Sequence, residues 1–390
     1  MSKITETERY WIWLSSLTEI RSRSVALLLS VFGDPEEIYR ADRSELNLIR
    51  GVSRREAELL QNTDLSVTDR ILQQCEAQGI TPVLYTQEYY PERLRNIYAP
   101  PPVLYVKGTL PPVDDHAVIA IIGTRKGSPY GFRMGKRITA EVVRCGGIVV
   151  SLLTPGIDLA VAEAAVSQNG ICIGVLGTAH EQSGSPITDR IVKTGAVISE
   201  YPPGTPPLRT HFRERNRIAA GLAVGTVVVE APQKSGTRLF VQEAVEQNRD
   251  IFAVPGNADS DLSAGTLELL KSGAKPVASG WDVLSEYASV YPGLSRHDPT
   301  DTEPDPEPEN PPEKPSRKKD DPDLIRKLGS LNEEQRRITE QLLEGARTTQ
   351  ELIEETGIST ARLLSQLTIL EIKGIIKRDE GRRVSLNTHE

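Results

Sequence analysis

Cysteine is scarce and poorly placed for chemistry. Cys75, Cys145 and Cys172 lie far apart, are odd in number and have no metal-ligand spacing. That argues against a zinc site and a disulfide framework, and it reads as reduced thiols in a cytoplasmic protein. Positive charge is in deficit: 46 Lys and Arg face 54 Asp and Glu, for a formal charge of −8. A chain that met nucleic acid over its whole surface would carry the opposite sign, so any such contact must use a local basic cleft. Long apolar runs are missing too. None approaches the ~20 residues of a membrane helix, and the N-terminal MSKITETERYWIWLSSL has no signal-peptide architecture. No membrane contact is expected.

What is present is a chain of 390 residues, enough for about two to three domains with ample core. Residues 1–65 read as a small helical domain. Within it Leu46–Gly51, Val52-Ser53 and Ala57–Leu60 loosely resemble a helix-hairpin-helix, in which a glycine turn can present amides to a DNA phosphate, although a small accessory domain with no DNA contact is the commoner outcome. Residues 66–292 read as a Rossmann-like α/β domain with an N-terminal extension. Its buried-strand run Ala117–Ile122 ends on Gly123-Thr124-Arg125 and is followed by a helix from about Tyr130. Strands then alternate with helices at Ile148–Ser151, Asp158–Gln168 (capped by Asp158), Ile171–Leu176, Thr188–Thr194 and Val197–Ser199, with later helices at Leu262–Lys271 and Trp281–Ala288. Gly123, Gly127 and Gly131 do not have GxGxxG spacing, so dinucleotide binding finds little support. Residues 293–323, rich in Pro, Asp and Glu, cannot bury enough apolar surface to fold and read as a disordered tether. Residues 324–390 carry three helical patterns and a strand pair around Asp379-Glu380-Gly381, the pattern of a winged helix. The fold class is therefore α/β, a Rossmann-like parallel sheet flanked by a small helical domain and a winged helix.

The chemistry concentrates between His211 and Gly256. Arg213, Arg215 and Arg217 surround Asn216; three arginines on a helix can simply be a solvated face, but Asn216 between two of them on a segment whose other face is apolar suits phosphate contacts. Two β-branched runs, Gly225–Val229 and Ile251–Val254, enclose a helical pattern and predict a parallel βαβ unit. Ligands of such sheets bind beyond the carboxyl ends of the strands. Lys234 with the amides of Ser235, Gly236 and Thr237 at a helix start would form an anion site there. Phe212 offers a stacking face for a base, although a phenylalanine is more often a core residue.

The order of domains, together with Gly123-Thr124-Arg125, Gly156-Ile157-Asp158, Ser199–Gly204, Arg215–Ile218, Glu230-Ala231, Ser235-Gly236-Thr237 and Ala253–Gly256, resembles the DNA-processing protein A family (DprA, also called Smf). The resemblance covers nearly the whole chain. It implies a single-stranded DNA-binding protein that loads a RecA-type recombinase during uptake of foreign DNA. It also implies a homodimer through the Rossmann-like domain, with no catalytic activity, metal or cofactor. The DNA-binding residues expected on this reading are Arg125, Ser151, Gly156, Phe212, Arg215, Asn216, Arg217, Lys234, Ser235, Gly236, Thr237 and Gly256. The sequence departs from the family in one loop. Leu152 and Pro155 stand where the family has Gly and Arg, and Ala162 stands where it has His; with Pro155 in place of a cation, one expected phosphate or structural contact is absent.

Two other classes compete. A nucleoside monophosphate hydrolase would need a carboxylate close to Gly236-Thr237. The next acid in that helix, Glu243, comes two turns later, leaving Glu200 and Glu230 at strand ends. A winged-helix transcription regulator would need a duplex sequence preference, yet the third helix offers little beyond Arg362 and Lys373 for phosphates.

Overall fold

The computed structural model describes residues 4–296, 331–343, 347–373, 375–378 and 383–386. The chain divides into two compact units, 1–301 and 302–390. From residue 297 onward, the stretch expected to be a tether lies outside the described residues, as does the expected wing turn at 379–381.

The first unit opens with six helices: α1 (Glu6–Ser16), α2 (Ser22–Phe32), α3 (Pro35–Arg40), α4 (Arg43–Leu48), α5 (Arg54–Leu60) and α6 (Ser66–Gln78). Their ends are written in the sequence. Thr5 with Glu8, Asp42 with Glu45 and Ser53 with Glu56 form capping boxes at α1, α4 and α5. Gly51, at φ 115°, turns the chain between α4 and α5. The start of α5 is closed by its own Ser53–Glu56 box, so the Ser53 and Glu56 amides already have internal acceptors. Trp13, Leu14, Leu28, Ile38, Leu46 and Leu60 form the core of this bundle. A second cluster joins Trp11, Ile12, Ile71 and Cys75 to the edge of the sheet at Ile80, Val103 and Tyr105.

The sheet follows: β1 (Ile80–Leu84), α7 (Glu92–Arg95), β2 (Val103–Gly108), β3 (Val118–Ile122), α8 (Pro129–Arg144), β4 (Ile148–Ser151), α9 (Ile157–Ser167), β5 (Cys172–Leu176), α10 (Ile187–Ile191), β6 (Ala196–Ser199), α11 (Arg209–Leu222), β7 (Gly225–Val228), α12 (Thr237–Glu246), β8 (Asp250–Ala253), α13 (Ala264–Lys271), β9 (Lys275–Pro276) and α14 (Gly280–Leu284). Its strand order is β1-β2-β6-β5-β4-β3-β7-β8-β9. The strands from β6 to β9 run parallel, and β2 joins β6 and β1 joins β2 antiparallel. Parallel strands covered on both faces are apolar throughout, and β3 shows why. Val118, Ala120 and Ile122 enter one core with Ile218, Leu222, Phe240 and Ala244 of α11 and α12. Ile119 and Ile121 enter the other with Ile138, Val142, Ile157 and Val161 of α8 and α9.

Several expected boundaries move; the helices read as Thr188–Thr194 and Trp281–Ala288 end at Ile191 and Leu284. The helix read from Leu262 starts at Ala264, after a 3-10 turn over Asp261–Ser263. Asp158 does not cap α9. Gly156, at φ 109°, holds that position, and the Asp158 side chain is buried.

In the second unit, helices Glu333–Leu343, Thr349–Thr356 and Thr360–Ile372 pack on a sheet ordered β10 (Arg347–Thr348), β12 (Arg383–Leu386), β11 (Ile376–Arg378). Ile338, Leu342, Leu352, Leu363, Leu367, Ile376 and Val384 form its core. Arg362 lies 3.4 Å from the Glu334 carboxylate, so one of the two cations noted on the third helix has an acidic neighbour.

Candidate nucleic-acid interface

The strand order reverses direction at β3, with β4 on one side and β7 on the other. The crevice of a parallel sheet opens at such a point, beyond the carboxyl ends of the strands. Two loops meet there. The loop after β3 carries Arg125, and the loop after β7 carries Lys234. The Thr124 amide donates to the Glu230 carbonyl at 2.9 Å, which fastens one loop to the other. Arg125 and Lys234 are exposed and have no hydrogen bond or ion pair among the described residues.

The start of α12 adds donors. Gly236 caps the helix with no side-chain acceptor, and its first turn holds no acidic residue. The amides of Ser235, Gly236 and Thr237 have no acceptor among the described residues, while the two that follow, on Arg238 and Leu239, bond to Ser235 and Gly236 carbonyls. Free amides at the positive end of a helix dipole attract an anion.

Phe212 sits at the same edge, on the first turn of α11. It is 41% exposed. One side of it packs on Gly177, just past β5, where an added Cβ would come within 3.0 Å of the Phe212 ring. The Arg215 guanidinium lies 5.9 Å from the ring centre. The ring is a surface platform backed by structure, not the core residue that its type favours. From β5 to β7 the edge crosses three strand spacings, about 14 Å at the usual ~4.8 Å each.

Other expected contacts turn inward. Arg217 is buried and bonds through Nη2 to Glu200 Oε1. Its guanidinium is committed to an ion pair and does not reach the surface, which corrects its assignment as a phosphate contact. Arg215 is buried as well. Nη1 donates to the carbonyls of Leu152 at 2.6 Å and Val175 at 3.2 Å, and Nη2 to Thr154 Oγ1 at 3.2 Å. Burial lowers its pKa to about 10, against the pull of the nearby Asp158 carboxylate. Arg215 therefore ties together the ends of β4 and β5 and is likewise not an open phosphate ligand. Ser151 is fully buried and donates to the Asp158 carbonyl at 2.7 Å, so its hydroxyl is also used internally. Asn216 is buried beside them. Thr237 has its side chain mostly covered. Gly256 lies so close to Ser263 that any Cβ would overlap it.

Gly156 remains at the site through its backbone. A Cβ on it would come within 2.5 Å of the Arg125 Cα. The loop 152–156 is thus pressed against the residue that carries the exposed cation. Beneath them the Asp158 carboxylate accepts the Gly123 amide at 3.0 Å. Burial raises its pKa to about 6, with that hydrogen bond and the charges of Arg215 and Arg125 acting in the opposite direction.

Sequence reasoning missed the partner of Glu230. Glu230 is buried and receives the Ser128 amide at 2.8 Å and the Ser128 hydroxyl. A signal was present: Ser128-Pro129 reads as cap and first helical residue, yet the third position, Gly131, offers no acid to complete a capping box. Among the described residues, no group of three or more His, Cys, Asp or Glu side chains is arranged to hold a metal, and no helix is long and apolar enough to cross a membrane.

Comparison with known proteins adds an independent line. Residues 81–288 match the family model of DNA recombination-mediator protein A, and residues 304–382 match that of the DprA winged helix domain. The DNA processing protein DprA of Bacillus subtilis is 35% identical over 221 residues, covering 56% of this chain and 74% of that one. Protein Smf of a Synechocystis species is 31% identical over 294 residues, covering 73% of each. The crystal structure of DNA processing protein A from Streptococcus pneumoniae superposes with a TM-score of 0.60 at 29% identity, over 76% of this chain and all of that one.

Proposed function

Because the chain belongs to the DNA recombination-mediator protein A family, we propose that it binds single-stranded DNA along the carboxyl edge of its large sheet. On this reading it catalyses no reaction, and it passes the strand to a RecA-type recombinase. It acts in the cytoplasm as a homodimer through the sheet domain. The observation that carries the reading is the start of α12. Three amides there have no acceptor among the described residues, exposed Lys234 precedes them, and exposed Arg125 follows the neighbouring strand. Phosphates would be held by Arg125, Lys234 and the amides of Ser235, Gly236 and Thr237, with Gly156 allowing close approach. A base would stack on Phe212, a contact worth ~1–3 kcal/mol. None of these contacts reads a base edge, so binding would be largely independent of sequence.

The occupied acids favour binding over hydrolysis. A nucleoside monophosphate hydrolase needs a carboxylate free to move a proton. Glu200 is held by Arg217 and Glu230 by Ser128. Fluorescence anisotropy with labelled oligothymidylate and a duplex of equal length tests the reading. The expected result is at least tenfold tighter binding of the single strand, ~1.4 kcal/mol, with affinity falling steeply in salt. Equal affinity for both, or release of base from a nucleoside monophosphate in a product assay, would reject it.

A further inference from the structure

Among the helices that start on this edge, α8 follows β3 and α12 follows β7, on the two strands that pair at the point of reversal. In a Rossmann-like sheet the first strand–helix turn is where a nucleotide's phosphate ordinarily sits, against the amides of the helix start. Here that position is taken by the protein itself. The Glu230 carboxylate, 97% buried by its 3% exposure, accepts the Ser128 amide through Oε2 at 2.8 Å and the Ser128 hydroxyl through Oε1. The same hydroxyl accepts the Gly131 amide at 3.1 Å. Pro129 has no amide hydrogen to offer. Gly131 leaves the space that the carboxylate fills, since a Cβ there would overlap it. No cation forms an ion pair with Glu230 among the described residues. The carboxylate is held at the helix start by N–H and O–H donors, as a bound anion would be.

We propose that Glu230 is a specificity-determining residue. It occupies the phosphate position at α8 with a built-in anion, which excludes a free nucleotide phosphate there and leaves the uncapped start of α12 open on the neighbouring strand. The proposal rests on the reading of that edge as a phosphate-binding crevice. It explains why Ser128-Pro129 caps α8 without an acid of its own: the acid arrives from β7 and brings a negative charge to a place where a mononucleotide would otherwise compete with a DNA strand.

The test counts phosphate sites by equilibrium dialysis with radiolabelled inorganic phosphate on the full chain, comparing wild type, Glu230→Ala and Glu230→Gln. Glu230→Ala vacates both the space and the charge and is expected to gain one saturable site. Glu230→Gln still fills the space and is expected to gain none. If Glu230→Ala does not fold in chloride buffer, its refolding yield is compared in phosphate and in chloride at equal ionic strength. Recovery in phosphate alone supports the proposal. An unchanged site count in a folded Glu230→Ala variant, or no recovery in phosphate, overturns it. The difference of one site holds whether or not α12 takes a phosphate, so failure of the DNA reading would appear separately, in the strand-binding assay.

Discussion

Arg217 lies inside the protein with its Nη2 on Glu200 Oε1, and their side chains are only 8% and 12% exposed. The pair fixes α11 to the end of β6, and so fixes the first turn of α11, which carries Phe212. Taking away one member leaves the other charge buried and alone, at a cost of about 3–5 kcal/mol. Arg217→Met is therefore expected to lose stability on that scale in urea unfolding, while its folded fraction keeps the wild-type salt dependence of strand binding. The double variant Arg217→Met, Glu200→Leu should recover much of the loss. A shallower salt dependence at unchanged stability would return Arg217 to the list of phosphate ligands.

Arg125 and Lys234 should behave in the opposite way. Both are exposed and neither forms an ion pair among the described residues. Arg125→Ala or Lys234→Ala is expected to alter stability by no more than ~0.5 kcal/mol. Each should reduce the slope of log affinity against log salt by ~0.7, the single-strand value for one lost phosphate contact, and should do so equally for every base composition. Anisotropy titrations at four salt concentrations read the slope directly. Slopes that stay at the wild-type value in both variants would remove the proposed crevice.

The different fates of these arginines mark what was legible in the sequence. Periodicity located the strands because β-branched runs such as Ala117–Ile122 have to be buried on both faces of a parallel sheet. Turn chemistry located the edge, because Lys234-Ser235-Gly236 must come between a strand and a helix. Arg215 and Arg217 were misread because a helix pattern gives the direction of a side chain but not the height of what stands opposite. Both directions lead to buried acceptors, Leu152 O and Val175 O for one and Glu200 for the other. The partner of Glu230 was missed for a related reason: Ser128 lies 102 residues away and is brought close by the pairing of β3 with β7.

Asp158 gives a pH dependence of defined sign. Burial raises its pKa from 3.8 to about 6 in the folded protein. Between those values the native state binds more protons than the unfolded chain, so this residue makes stability fall as pH rises from about 4 to about 6, and its effect levels off above that. Asp158→Asn removes the titration and keeps an oxygen for the Gly123 amide. The difference between the two proteins in unfolding free energy should change across this window by up to ~1.4 kcal/mol per pH unit. Urea midpoints at pH 4, 5, 6 and 7 measure it, and curves that run parallel would show that Asp158 is ionised throughout.

Pro155 offers a gain of function. It is exposed and precedes Gly156, whose backbone lies against Arg125. A cation at 155 would thus stand beside the one already at the edge, on the path of the same strand. Pro155→Arg is expected to tighten single-strand binding by ~1 kcal/mol at low salt, about fivefold, and to steepen the salt slope by ~0.7. The neighbouring change, Leu152→Gly, should not accompany it. Leu152 is part of the core on the α11 face, and its carbonyl accepts Arg215 Nη1 at 2.6 Å. Removing that side chain would cost about 2–5 kcal/mol, the range for a large-to-small core change, and would loosen the loop that positions residue 155. If Pro155→Arg leaves both affinity and slope at the wild-type values, the strand leaves the edge before it reaches this loop. The DNA path would then run from Arg125 toward β7 and away from Phe212, and Phe212→Ala would be neutral in the same assay.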